Sequence, residues 1–199
     1  MRVVVCISGR GSNLTALLEA LPAGAPARVV LVLSDRPDAG GLSVAAHRGI
    51  ETAALHDAAD AAEWLAHLER VSADLVVLAG YLKLVPAPVV ARYSGRMLNV
   101  HPSLLPAFGG TGMYGARVHR AVLASGATES GATVHLVDEA YDRGPILAQE
   151  RVPVEPGDTP ELLAARVLGA EHRLLPAVVL AAARAGRLVP LPSRLELSR

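Results

Sequence analysis

The sequence predicts an α/β fold: an open, mostly parallel twisted sheet with helices on both faces and antiparallel strands late in the chain. Three observations carry this. Short apolar, β-branched runs alternate with helical patterns from the N-terminus to about residue 100, and such alternation winds a parallel sheet. Ala132–Val137 and Ile146–Val154 then succeed one another without a helix, as antiparallel neighbours do. Finally, 199 residues that are 51% hydrophobic and 19% charged suit one globular domain with a substantial core. We assign residues 1–189 to that domain and 190–199 to a C-terminal tail, either mobile or packed on the surface.

Arg2–Ile7 reads as a buried strand, succeeded by a helix over Leu14–Leu21 with Asn13 or Ser12 near its cap. Ala27–Ser34 is the second strand, Leu42–Arg48 a short helix and Thr52–Leu55 a short third strand. Ala59–Val71 places Trp64, Leu65, Leu68 and Val71 at helical spacing. Leu75–Ala79 is another buried strand, then come a helix around Pro88–Tyr93 and a strand over Met97–Val100. Ala116–Ser125 is a helix. The run Asp158-Thr159-Pro160-Glu161 opens a last helix with a cap residue and a proline in its first turn. That helix runs to about Ala185, where Gly186 stops it.

Nineteen basic residues balance nineteen acidic ones, so the surface lacks the cationic excess that nucleic acid demands. The expected partners are small molecules rather than nucleic acid. The apolar run Leu174–Ala183 is far shorter than the roughly 20 residues of a membrane span, and the N-terminus reads as a strand rather than a signal peptide. The expectation is a cytoplasmic protein with no membrane partner. The one cysteine, Cys6, lies inside VVVCIS and reads as a buried core thiol. No His, Cys and Asp set has metal spacing, so no metal is expected. Asparagine occurs only at Asn13 and Asn99, which singles out both positions.

Ser8-Gly9-Arg10-Gly11-Ser12-Asn13 links the first strand to the first helix. Glycine lets the backbone turn tightly and bring N–H groups to a ligand, and a helix N-terminus favours an anion. A dinucleotide fingerprint would place glycine where Leu14 stands, and a Walker loop would need Gly-Lys. The loop therefore suits a monophosphate, against the plainer alternative of a simple turn. At the end of the fifth strand, period-two alternation puts Asn99 and His101 on one face. Two polar groups there are costly unless satisfied or used, and ligands in open α/β sheets bind beyond the carboxyl ends of strands. Pro102 and Pro106 stiffen the segment leaving the strand. In the loop between the late strands, Asp138, Glu139 and Asp142 are all candidates for a carboxylate that orients His101, or for a solvated turn acid.

ISGRGSN at 7–13, LAGYLKLV at 78–85, LNVHPSLLP at 98–106, GATVHLVDEAYDRGPIL at 131–147 and AEHRLLP at 170–176 together resemble the phosphoribosylglycinamide formyltransferase family, folate-dependent enzymes of purine synthesis. The resemblance spans nearly the whole chain. It implies a formyltransferase-like, Rossmann-related sheet and formyl transfer from 10-formyltetrahydrofolate, the cosubstrate, to glycinamide ribonucleotide, with no metal. It implies that Gly11, Ser12 and Asn13 contact the ribose phosphate and that Glu171 contacts the sugar hydroxyls. Leu82, Lys83, Leu84 and Val85 match the lining of the folate pteridine site, and Asn99, His101 and Asp142 match the catalytic trio. His135 matches a histidine whose role stays open, and a homodimer is the assembly to test. Two features depart from the pattern. The arginine common near the start of the 59–71 helix is missing, and the glycine-rich segment 108–115 is long, either a flap or a plain insertion.

The expected mechanism is direct acyl transfer. The tetrahedral oxygen would be held by Asn99 and a protonated His101, with Asp142 favouring the charged imidazole. Rival readings are a methionyl-tRNA formyltransferase, which would need a basic face and a further C-terminal domain, a formyltetrahydrofolate hydrolase, and a non-catalytic phosphometabolite-binding domain.

Overall fold

The structure is a computed structural model and describes residues 1–191. The expected tail at 190–199 lies, from residue 192 onward, outside the described residues. Just before it, the Leu191 N–H donates to the Leu147 carbonyl at 2.8 Å.

Seven strands form one sheet in the order β3-β2-β1-β4-β5-β6-β7. They are β1 (Arg2–Ile7), β2 (Arg28–Ser34), β3 (Glu51–Ala54), β4 (Leu75–Leu78), β5 (Met97–His101), β6 (Glu129–Leu136) and β7 (Ile146–Pro153). β1 to β5 run parallel, while β6 pairs antiparallel with both β5 and β7. The mixed sheet is as the sequence predicts. The helices are α1 (Ser12–Ala20), α2 (Gly40–His47), α3 (Ala61–Arg70), α4 (Ala87–Arg92), α5 (Ala116–Ala124) and α6 (Pro160–Ala185).

The apolar runs bury both sheet faces, and alternation divides their residues between two cores. Val3, Val5 and Ile7 pack with Leu14 and Leu17 of α1 and Leu163, Val167 and Leu174 of α6. Val4 and Cys6 pack on the other face with Trp64 and Leu68 of α3 and Val89 of α4. Cys6 is fully buried and burial pushes its thiol pKa up, which keeps it an inert core group.

Several boundaries differ for local reasons. The α1 cap is neither Asn13 nor Ser12 but Gly11, in the left-handed conformation with φ +80. α2 begins at Gly40 rather than Leu42, because the Gly41 N–H donates to the Gly9 carbonyl at 3.0 Å and draws the turn under the first loop. α3 begins at Ala61, since Asp60 caps it by accepting from the N–H groups of Ala62 and Glu63. β6 begins at Glu129 rather than Ala132, because β7 continues pairing as far as Pro153. α6 obeys the sequence signals: Thr159 accepts from the Leu162 N–H, and Gly186 ends the helix at φ +70.

Candidate active site

The chain leaves β1 toward one edge of the sheet and later enters β4 on the other side, so β1 and β4 flank the point where strand order reverses. A crevice opens at such a point beyond the strand carboxyl ends. Here it is a cavity of about 1000 Å³. Ser8 ties its floor together: its N–H donates to the Gly80 carbonyl at 3.1 Å, and its Oγ accepts from the Leu82 N–H at 2.9 Å.

The glycine loop forms one end. A Cβ on Gly11 would lie 2.8 Å from the Gly41 Cα, so loop and α2 approach backbone to backbone. No side chain caps α1 and no acid occupies its first turn, leaving its first N–H groups open to an anion. Asn13, buried, donates Nδ2–H to Glu171 Oε2 of α6 at 2.5 Å. Its Oδ1 is buried without a partner. Burial pushes the Glu171 carboxyl up to about 7, against the hydrogen bond from Asn13.

The centre is the end of β5. Antiparallel register sets Asn99 opposite His135 of β6. His135 Nδ1 stands 2.8 Å from the Leu136 carbonyl, which places a proton there and leaves the Nε2 lone pair for Asn99 Nδ2, 3.0 Å away. Asn99 Nδ2 also reaches Asp142 Oδ1 at 3.4 Å. Asp142 lies 3.4 Å from His101 Nδ1 and 3.5 Å from His135 Nε2, and its Oδ2 accepts from the Gly110 N–H at 2.9 Å. Asp142 has φ +58, a left-handed conformation that Asp tolerates better than most residues. Burial raises its carboxyl pKa, but the two imidazoles and the Gly110 N–H outweigh burial and hold it below the usual carboxylate range.

The structure therefore brings Asn99, His101 and Asp142 together, and picks Asp142 from the three acids that sequence left open. Burial lowers the His101 pKa and outweighs the opposing pull of Asp142, so the resting imidazole is neutral near pH 7. Its Nε2 stands 2.9 Å from the Phe108 carbonyl.

Leu82, Lys83, Leu84 and Val85 all line the cavity. Leu82 and Leu84 are half exposed while Val85 is buried, giving a half-open apolar mouth. The 108–115 segment supplies a wall through Gly110 to Gly115, whereas no lining residue comes from 57–63. Among the lining residues that escaped sequence reasoning are Tyr81 and His119. Tyr81 packs edge-on against Trp64 with ring centroids 5.4 Å apart, and its buried hydroxyl lacks a partner. His119 sits on α5 between Val118 and Val122, where helical spacing gave no hint that it reached a cavity.

Fold and site together define an α/β protein with a glycine loop opening its first helix, an Asn–His–Asp cluster at the end of β5 and one cavity that both line. Residues 1–179 match the formyl transferase family. The chain is 45% identical over 186 residues to the chloroplastic phosphoribosylglycinamide formyltransferase of Arabidopsis thaliana, covering 89% of this chain and 64% of that protein. It is 38% identical to phosphoribosylglycinamide formyltransferase of Escherichia coli, covering 90% of this chain and 85% of that protein. The crystal structure of phosphoribosylglycinamide formyltransferase from Brucella melitensis superposes with a TM-score of 0.82 at 46% identity, covering 96% and 98% of the two chains. The chain belongs to the formyl transferase family, and over most of its length it is similar to that family's phosphoribosylglycinamide formyltransferases.

Proposed function

We propose that this protein transfers the formyl group of 10-formyltetrahydrofolate to the amine of glycinamide ribonucleotide, in the cytoplasm, as a step of purine nucleotide biosynthesis. The observation that carries the reading is convergence: Gly11–Asn13, Glu171, Asn99, His101, Asp142 and Leu82–Val85 come from distant parts of the chain and all border one cavity or its wall. The α1 N-terminus suits the phosphate. Glu171 and the unpartnered Asn13 Oδ1 are acceptors for sugar hydroxyls. The apolar mouth suits a flat pteridine ring.

In this reading the resting His101 donates Nε2–H to the Phe108 carbonyl; as substrate binds, that contact gives way, the single proton moves to Nδ1, where Asp142 holds it, and the Nε2 lone pair faces the substrate amine. The amine nitrogen bonds to the formyl carbon, and the carbonyl π pair moves onto oxygen. His101 Nε2 takes the proton the amine loses. The resulting imidazolium and the Asn99 amide stabilise the oxyanion. As the intermediate collapses, the bond from carbon to the folate nitrogen breaks, and His101 returns the proton to that nitrogen. His135 orients the Asn99 amide.

The test incubates the protein with 10-formyltetrahydrofolate and monitors tetrahydrofolate release with and without glycinamide ribonucleotide. Release that depends on the ribonucleotide is expected. Equal release without it would replace the reading by a hydrolase, and no release from folded protein would overturn it.

A further inference from the structure

We propose that His119 is a further substrate-contact residue, whose Nε2–H donates to the amide carbonyl of the glycinamide group. The proposal rests on the transferase reading and deepens it.

His119 is 5% exposed, yet it lines the cavity. Its Nδ1 is buried with no hydrogen-bond partner. With Nδ1 buried and the residue on the cavity lining, Nε2 is the polar atom we assign to the cavity side. Burial, reinforced by the nearby His101 ring, lowers its pKa, which makes it a neutral imidazole with one proton to place. A buried N–H without an acceptor costs more than a buried lone pair without a donor. The proton therefore sits on Nε2 and faces the cavity as a donor.

Position decides what that donor meets. α5 packs on α6, whose Ala164, Leu168 and Glu171 line the same cavity. His119 thus lies near His101, on the helix that packs against the one carrying Glu171. In the proposed pose the amine lies at His101 and the sugar at Glu171. The group joining them in glycinamide ribonucleotide is an amide, whose carbonyl is a neutral acceptor suited to a neutral N–H. No step of the formyl transfer uses His119.

Three variants test this: His119→Leu, His119→Gln and His119→Asn. The glutamine amide nitrogen reaches about as far as an imidazole Nε2, whereas the asparagine amide stops near Nδ1. Ribonucleotide binding is measured by calorimetry without folate, steady-state kinetics supply KM and kcat, and thermal melts report folding. His119→Leu is expected to weaken ribonucleotide binding and raise its KM by about tenfold, the usual net value of one hydrogen bond. The folate KM and kcat should stay within about threefold. Glutamine should restore binding and asparagine should not. Wild-type affinity in His119→Leu would overturn the proposal, as would equal weakening by glutamine and asparagine, which a packing role produces. If His119→Leu does not fold, the glutamine–asparagine pair still decides. A wild-type protein that neither binds nor formylates the ribonucleotide would sink the transferase reading and this proposal together. An active wild type with an unaffected leucine variant would sink this proposal alone.

Discussion

Asn13 and Glu171 meet in the protein interior through a 2.5 Å hydrogen bond on the lining of the cavity. The bond joins the first turn of α1 to the middle of α6, and it leaves one Asn13 acceptor and the rest of the Glu171 carboxyl for a ligand.

The first prediction concerns pH. Glu171 is pushed up to about 7 by burial. At pH 8 it is a carboxylate and accepts sugar hydroxyls, while below about 7 it protonates and loses that capacity. Ribonucleotide KM should rise as pH falls through about 7, and Glu171→Gln should raise KM and flatten that dependence. Stability runs the other way. Between the ordinary glutamate pKa and about 7, the folded chain holds a proton that the unfolded chain has released. Stability therefore falls as pH rises through that window, by roughly 3 kcal/mol from this group alone. Glu171→Gln should melt higher than wild type at pH 8 and not at pH 4. Identical melting profiles at both pH values would refute this account of Glu171.

His101 makes a second pH prediction. With its pKa lowered by burial, the working base is neutral across the physiological range. The kcat profile should hold level from pH 7 to pH 9 and fall only on the acid side. A loss of kcat on the alkaline side, near the ordinary imidazole pKa, would instead show that the working form of His101 is protonated at rest. His101→Ala should lower kcat by about 10²–10³-fold with little change in ribonucleotide KM.

Asp142 is better tested as asparagine than as alanine. Its φ of +58 suits Asp and Asn but strains Ala, so alanine would mix a backbone effect with the lost charge. Asp142→Asn keeps the shape and removes the charge that faces His101 and His135. We expect kcat to fall about 10²-fold and thermal stability to change by a few degrees at most. Activity within threefold of wild type would show that orientation of His101 does not depend on this carboxylate.

Local pattern carried the fold, because β1, β2 and β4 contribute to both cores and carry unbroken apolar runs. Asn99 and His101 were legible for a related reason: period two set them on one face of a strand that otherwise buries only apolar groups. What stayed hidden depends on long-range pairing. The Asn99–His135 contact exists only because β6 joins β5 antiparallel in one register, and no spacing in the sequence specifies that register. Asp142 could not be told from Asp138 and Glu139 until the β6–β7 loop folded back over β5. The neutral resting state of His101 was hidden because it is the difference between burial and the charge of Asp142, and both need the complete fold.

The glycine loop offers a prediction with an internal control. Gly11 sits at φ +80, and a Cβ there would come within 2.8 Å of the Gly41 Cα. Gly9, two residues earlier, has no atom within 4 Å of an added Cβ and no positive φ. Gly11→Ala must therefore distort the backbone or push α2 away, at a cost of about 1–3 kcal/mol, while Gly9→Ala should leave stability within about 0.5 kcal/mol. The same displacement tilts the α1 N–H groups away from the phosphate position, so ribonucleotide KM should rise in Gly11→Ala and hold in Gly9→Ala. Urea unfolding and steady-state kinetics on the pair measure both effects. If Gly11→Ala lost stability but bound the ribonucleotide normally, the loop would be a tight turn joining β1 to α1, and the phosphate would have to be held elsewhere in the cavity.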